Sequence, residues 1–275
     1  MTENRDLIQG TPEWHEARRG KITGSRFKDV LSTRGNTRAN YMRELLLERK
    51  TGIVAEGYTS PEMEWGIQTE PQARAYYEKV TQTKVEQVGF IDHPLEQYRG
   101  YVGVSPDGLI GSAGCLEIKC PNTNTHLDYI AKDKLPTTYI PQVQGVMWVT
   151  GHLWCEFISF DPRVKEQPYW HVYVERDEAY IKKLAHAVDE FIQEMVELQK
   201  TQTEVDPQLL IDVTEGYSNE NDWQLKLKDE IRGKVRHGVV CSILQASGLR
   251  EGIPTLCEGF KKDINAWVDY IISGQ

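Results

Sequence analysis

Asp107, Glu117 and Lys119 are the residues whose types and spacing promise chemistry. They stand in Val104-Ser105-Pro106-Asp107-Gly108-Leu109 and Cys115-Leu116-Glu117-Ile118-Lys119-Cys120-Pro121. Asp107 falls just past one predicted strand, and Glu117 and Lys119, two apart, project from one face of the next. If those strands are neighbours the two carboxylates converge, and hard oxygen ligands suit Mg²⁺ or Mn²⁺ rather than a soft metal. A lysine on the same face could orient a water and neutralise charge on a phosphoryl group in the transition state. Together these groups describe metal-dependent phosphodiester hydrolysis. The plainer alternative is a turn at Asp107-Gly108 and a solvated Glu117–Lys119 pair on an edge strand. Against it, the strand is otherwise apolar (Cys115, Leu116, Ile118, Cys120), and two charges there call for a reason.

The elements that must position these groups are legible in the pattern. Residues 60–80 read as a helix, with Ser60 as N-cap and Pro61 at the first position, and Pro71 is expected to kink or restart it. Strands are predicted at 85–91, 98–105, 114–119, 153–160 and 169–175, each rich in β-branched and aromatic residues and bounded by Gly, Pro or Asp. A helix is expected at 137–150, and a long amphipathic one follows from Asp177 as N-cap, repeating Ile181, Leu184, Val188, Phe191, Ile192, Met195 and Leu198. The order predicts an α/β fold, a mixed central sheet flanked by helices. Residues 201–222 turn polar and read as a linker or arm. Residues 223–275 read as a small helical extension, too poor in apolar residues to stand alone.

With 275 residues, 39% hydrophobic and 27% charged, the chain can bury a core without staples. No stretch approaches the roughly 18 apolar residues of a membrane span, and the N-terminus lacks the apolar core of a secretory signal, so a cytoplasmic protein is expected. The five cysteines include no CxxC pair, and the seven histidines no HxH or HExxH, which points to reduced structural thiols and away from zinc. A net charge of −9 ordinarily argues against a nucleic-acid partner, but the charge is uneven. Residues 1–50 hold 11 Lys/Arg against 7 Asp/Glu, whereas 51–200 hold 13 against 22. A basic region beside an acidic middle fits a DNA enzyme with a carboxylate metal site.

The D-x9-E-x-K element with its SPDGL and LEIKCP surroundings, the upstream EWGIQTEP, the downstream YIPQVQGVMWVTG and the N-terminal WHEARRGKITGSRF resemble the lambda exonuclease and YqaJ-type viral recombinase family. That family has the PD-(D/E)xK, restriction-endonuclease-like fold. The likeness spans roughly residues 11–199, with four motifs in the right order, and stops where the extension begins. It implies a Mg²⁺-dependent 5′-to-3′ exonuclease that digests one strand of duplex DNA from an end, works as a homo-oligomer, trimeric in lambda exonuclease, and serves phage recombination in a bacterial host beside a single-strand annealing protein. By the same likeness Asp107, Glu117, the Ile118 carbonyl and Glu70 are metal ligands, and Lys119 stands beside the attacking water. Arg18, Ser25 and Gln142 bind the 5′-phosphate, with Thr23 and Tyr139 in weaker claims.

Read without the likeness, Arg18 is a surface charge, Ser25 a helix N-cap and Trp14 a core residue, while Glu70 is equally a plain first-turn acid or a functional one. Two rivals share the fold: a restriction-type endonuclease and a non-catalytic DNA-end binding protein. The sequence argues against an iron–sulfur exonuclease, because its cluster needs a cysteine well upstream and none precedes Cys115 in this sequence.

Overall fold

The computed structural model describes residues 4–52, 54 and 60–201, so the expected linker and helical extension lie outside it apart from Thr201. The chain divides into two units after Met195, and everything described below as a site lies in the first. Three helices precede the expected ones: α1 (Pro12–Arg18), α2 (Phe27–Val30) and α3 (Thr37–Thr51). α1 is started by Thr11, whose side chain accepts from the Trp14 N–H, and by Pro12 in its first turn.

α4 (Pro61–Thr81) opens as expected, Ser60 Oγ accepting from the Met63 N–H at 3.3 Å. It does not restart at Pro71. The prolyl ring removes the hydrogen bond to the Ile67 carbonyl. Ile67 and Pro71 are exposed, on the solvent side of the helix, and buried Ala73 and Tyr77 hold the later turns.

A small sheet has the order β1 (Ile22–Thr23), β3 (Val102–Val104), β2 (Ile91–Asp92). The mixed sheet runs β4 (Gly108–Ile110), β5 (Gly114–Lys119), β6 (Trp154–Phe160), β7 (Tyr169–Glu175), paired antiparallel, parallel and antiparallel in turn. The expected strand at 85–91 shrinks to a bridge at Glu86 and to Ile91. Its backbone is claimed by the N-terminal segment instead: Gly89 N–H donates to the Arg5 carbonyl at 2.7 Å and Phe90 N–H to that of Asn4 at 2.9 Å. The strand expected at 98–105 keeps only 102–104, because Tyr98–Tyr101 folds into a turn.

One face of β5 and β6 presents Leu116, Ile118, Ile158 and Phe160 to Ala73 and Tyr77 of α4. Helix α5 (Thr123–Lys132) follows β5, and a 3-10 turn, Thr137–Tyr139, leads into α6 (Ile140–Thr150) on the other face. α7 (Glu178–Thr201) is capped as expected, Asp177 Oδ1 accepting from the Ala179 and Tyr180 N–H groups at 2.9 Å each. Close packing of α6 depends on Gly145, where a Cβ would lie 2.2 Å from Cδ2 of the fully buried Phe27. Gly145→Ala is therefore expected to lower stability by about 1–3 kcal/mol, read from the midpoint of denaturant unfolding.

Candidate active site

Alternation along β5 turns Leu116, Ile118 and Cys120 toward α4 and leaves Glu117 and Lys119 on the α6 face. The Glu117 side chain is 2% exposed and pairs with the Lys119 ammonium. It also accepts from Gln142 Nε2, in the first turn of α6, at 2.5 Å. Lys119 Nζ lies 5.2 Å from the centre of the Tyr139 ring.

Asp107, one residue before β4, accepts from the Ile118 N–H through Oδ2 at 2.6 Å. The same register directs the Ile118 carbonyl. Leu109 exchanges both backbone bonds with Glu86, at 2.8 and 2.9 Å, so its neighbours Gly108 and Ile110 face β5 and are met by Leu116 and Gly114. The N–H and C=O of one strand residue point to the same side. Ile118, two beyond Leu116, thus points its carbonyl toward the edge where Asp107 lies. Glu70 comes from α4 and pairs with Arg74, whose Nε donates to the Asp107 carbonyl at 3.2 Å.

The three carboxyls oppose one another's ionisation. Burial, helped by Asp107 and Glu70, pushes Glu117 up to about 8 against the pull of Lys119. Burial and the Asp107 charge bring Glu70 to about 7, and burial raises Asp107 as well. Burial works against the Lys119 charge, yet Glu117 and Asp107 hold its pKa above the usual lysine value. An oxygen-only cluster of this kind suits a hard divalent cation. Among the described residues no group of three or more His, Cys, Asp or Glu side chains is arranged to hold a metal ion by itself.

A carboxyl whose folded pKa exceeds its unfolded one keeps its proton longer in the native state. Stability of the metal-free protein should therefore fall as pH rises from about 4.5 and level off above about 8. A divalent cation held there would have to displace those protons, so a rise in Tm on adding Mg²⁺ is expected to grow between pH 6 and 9. Thermal melts with and without Mg²⁺ across that range check it, and a pH-independent rise would contradict this titration.

Arg18, at the end of α1, donates through Nη1 to Ser105 Oγ at 3.2 Å and lies 4.0 Å over the Trp14 ring. Burial lowers its pKa to about 10. Trp14 is half-buried rather than a core residue, and its Nε1 donates to the same Ser105 Oγ at 2.9 Å. Ser25 is exposed in a 3-10 turn, Gly24–Arg26, and caps no helix, which corrects the N-cap reading; the turn's cap position is Thr23. Gly24 packs on Val104 and Val146, seating the turn between the end of β3 and α6. Arg18 thus reaches the segment that leads into Asp107, and Gln142 reaches Glu117 itself. Thr23 is buried, its N–H donating to the Tyr41 hydroxyl at 3.2 Å.

Arg74 and Ser105 were not singled out by sequence. Arg74 stands four residues after Glu70, a spacing that brings helix side chains together, and Ser105 lies two before Asp107. Glu70, Arg74, Asp107 and Trp14 line a cleft of about 1160 Å³ together with Met63 and Ile67 of α4. Cys115, Cys120 and Cys155 are unbridged, in line with the expected thiols, while Cys241 and Cys257 lie outside the described residues.

This fold is that of alkaline and phage-related exonucleases. An alkaline exonuclease (LHK-Exo) from Laribacter hongkongensis is 40% identical and superposes with a TM-score of 0.67 over 72% of this chain and 100% of that one. Its complex with dAMP gives 0.65 at 41% identity over 69% and 95%. A phage-related exonuclease from Haemophilus somnus 129PT, 17% identical, shares the fold at 0.51 over 65% and 94%. ExoD, an uncharacterised protein of Escherichia coli (strain K12), is 37% identical over 65 residues, 24% of this chain and 75% of its own. Residues 13–153 match the YqaJ-like viral recombinase domain, and the chain belongs to that family.

Proposed function

We propose that the protein is a Mg²⁺-dependent exonuclease that removes nucleotides from the 5′ end of one strand of linear double-stranded DNA, leaving 3′ tails for recombination by strand annealing. The observation that carries this reading is the meeting of Asp107, Glu117 and Lys119 at one end of the mixed sheet, with Glu70 tied to Asp107 through Arg74. Asp107, Glu117, the Ile118 carbonyl and Glu70 would hold Mg²⁺, or Mn²⁺ in its place, which supplies Lewis acidity toward the scissile phosphoryl group. Lys119 orients the attacking water and offsets the charge that develops on the phosphoryl oxygens. Gln142 keeps the Glu117 carboxylate in place.

Arg18, desolvated and carrying a planar fork of donors, binds the 5′-terminal phosphate with Ser25 and Gln142. The dAMP complex of the Laribacter hongkongensis enzyme supports mononucleotide release. A homo-oligomeric ring, a trimer by family likeness, would keep the duplex engaged. A single-strand annealing protein would receive the tails in the cytoplasm of a bacterial host carrying the phage or prophage. Among the described residues no helix is long and apolar enough to cross a membrane.

The test uses linear duplexes with a 5′-phosphate or 5′-hydroxyl, each strand labelled in turn, and a closed circle. The 5′-phosphorylated strand is expected to be lost fastest, as mononucleotides, with the circle intact. Arg18→Ala should shrink the phosphate preference by about 1.5–3 kcal/mol, the size of a charged hydrogen bond. Equal rates on both ends would remove the phosphate pocket, nicking of the circle would favour an endonuclease, and retention of DNA without Mg²⁺-dependent cleavage a binding protein.

A further inference from the structure

We infer that Arg163 is a positioning residue: held by Asp161, its guanidinium clamps Trp65 and so fixes the half of α4 that leads into Glu70. The inference rests on the role proposed above for Glu70.

Asp161, at the end of β6, is fully buried, and burial alone would raise its pKa. Bonds from Arg163 and Thr123 outweigh that and hold it at about 2. Arg163 grips it with a two-pronged fork, Nε to Oδ1 at 2.7 Å and Nη2 to Oδ2 at 2.9 Å, while its own backbone N–H donates to Oδ1 at 3.0 Å. Thr123 Oγ1 donates to Oδ2 at 2.6 Å. The guanidinium so fixed lies 4.2 Å over the Trp65 ring and reaches the Pro121 carbonyl at 3.4 Å. One side chain therefore joins the end of β6, the loop that leaves Lys119, and α4.

The first half of α4 needs such a tie. Pro71 interrupts the hydrogen-bond ladder between Trp65 and Ala73. Beyond it Ala73 and Tyr77 are buried and Tyr76 packs on Phe160 and Tyr169. Before it Pro61–Glu64, Ile67 and Gln68 are exposed. Trp65 Nε1 is buried and has no hydrogen-bond partner among the described residues, so stacking rather than a hydrogen bond sets where the indole sits. Glu70 lies between this tie and the buried anchor at Ala73.

The test measures Mn²⁺ binding to the full-length protein without DNA, by the electron paramagnetic resonance of free Mn²⁺, together with the Mg²⁺ concentration at half-maximal cleavage. Arg163→Ala and Trp65→Leu are expected to weaken Mn²⁺ binding about tenfold or more, the usual effect of losing a group that supports a ligand. Trp65→Phe should restore most of the loss, and neither change should add to Glu70→Gln. If Arg163→Ala fails to fold because Asp161 loses its cation, Trp65→Leu keeps the fork and carries the test. Unchanged affinity in Trp65→Leu beside a loss in Glu70→Gln overturns the clamp and leaves Glu70 in place. Losses that multiply with Glu70→Gln also overturn it, since Arg163 would then act elsewhere. No effect of Glu70→Gln on binding or rate removes Glu70 from the site, and the clamp falls with it.

Discussion

Lys119→Ala is expected to lower turnover by on the order of 100-fold or more, as for other single groups that meet charge developing in a transition state, while duplex binding is kept. Among the described residues Lys119 is the one cation paired directly with Glu117, and Asp107 adds to the field on it. The role proposed for it lies with the attacking water and the phosphoryl oxygens, so its loss should appear in kcat rather than in affinity. Folding should survive, because Glu117 keeps the Gln142 hydrogen bond and a carboxyl with a pKa already near 8 can stay protonated. In metal-free protein the Glu117 pKa should move still higher once the ammonium is gone. Single-turnover cleavage in Mg²⁺, with binding measured in Ca²⁺, separates the two effects; Ca²⁺ is expected to support binding without cleavage, its looser shell positioning water poorly. Near-normal turnover would take Lys119 out of the mechanism.

How far the sequence could be read follows from where each signal is written. β5 and β7 appear with the expected bounds because their residues carry their own pattern, as do the caps Ser60 and Asp177. α1 buries no residue and so has no apolar stripe to find. α3 buries Tyr41, Met42, Leu45 and Leu46, but Glu48 is buried with them and its apolar residues form almost no one-sided pattern, so periodicity does not announce it. The 85–91 stretch has strand composition, but its hydrogen bonds go to a segment some 85 residues away, which no local pattern reveals. The same division holds at the site. Asp107, Glu117 and Lys119 lie within one strand–turn–strand unit and could be argued from spacing alone. Glu70, Arg18 and Gln142 arrive from separate helices and were reachable only through family likeness. Ser105 and Arg163 act through partners far off in the sequence, and a serine or arginine among many announces no such role.

Asp107→Asn is expected to make the protein inactive and more stable at once. The amide oxygen can still accept from the Ile118 N–H, where Asp107 Oδ2 now does at 2.6 Å, so the turn into β4 should persist. What disappears is the carboxylate whose charge raises the pKa of both Glu70 and Glu117. Relief of that crowding should stabilise the metal-free protein by about 0.5–2 kcal/mol, the gain typical where a site built for function is relaxed. For a domain of this size that corresponds to a rise in Tm of a few degrees, about 2–4 °C per kcal/mol. The gain should be largest near pH 8 and above, where the folded carboxyls are most nearly ionised, and should fade as pH falls toward about 4.5, where the folded carboxyls have taken up their protons. Cleavage should fall more than the roughly 10–100-fold seen when a group behind a metal ligand is lost, because the proposed role of Asp107 is that of a ligand itself. Mg²⁺ should also raise the variant's Tm less than it raises that of the unaltered protein. A variant that is both less stable without metal and still active would mean that Asp107 holds the turn through Ile118 and does not belong to a carboxylate metal site.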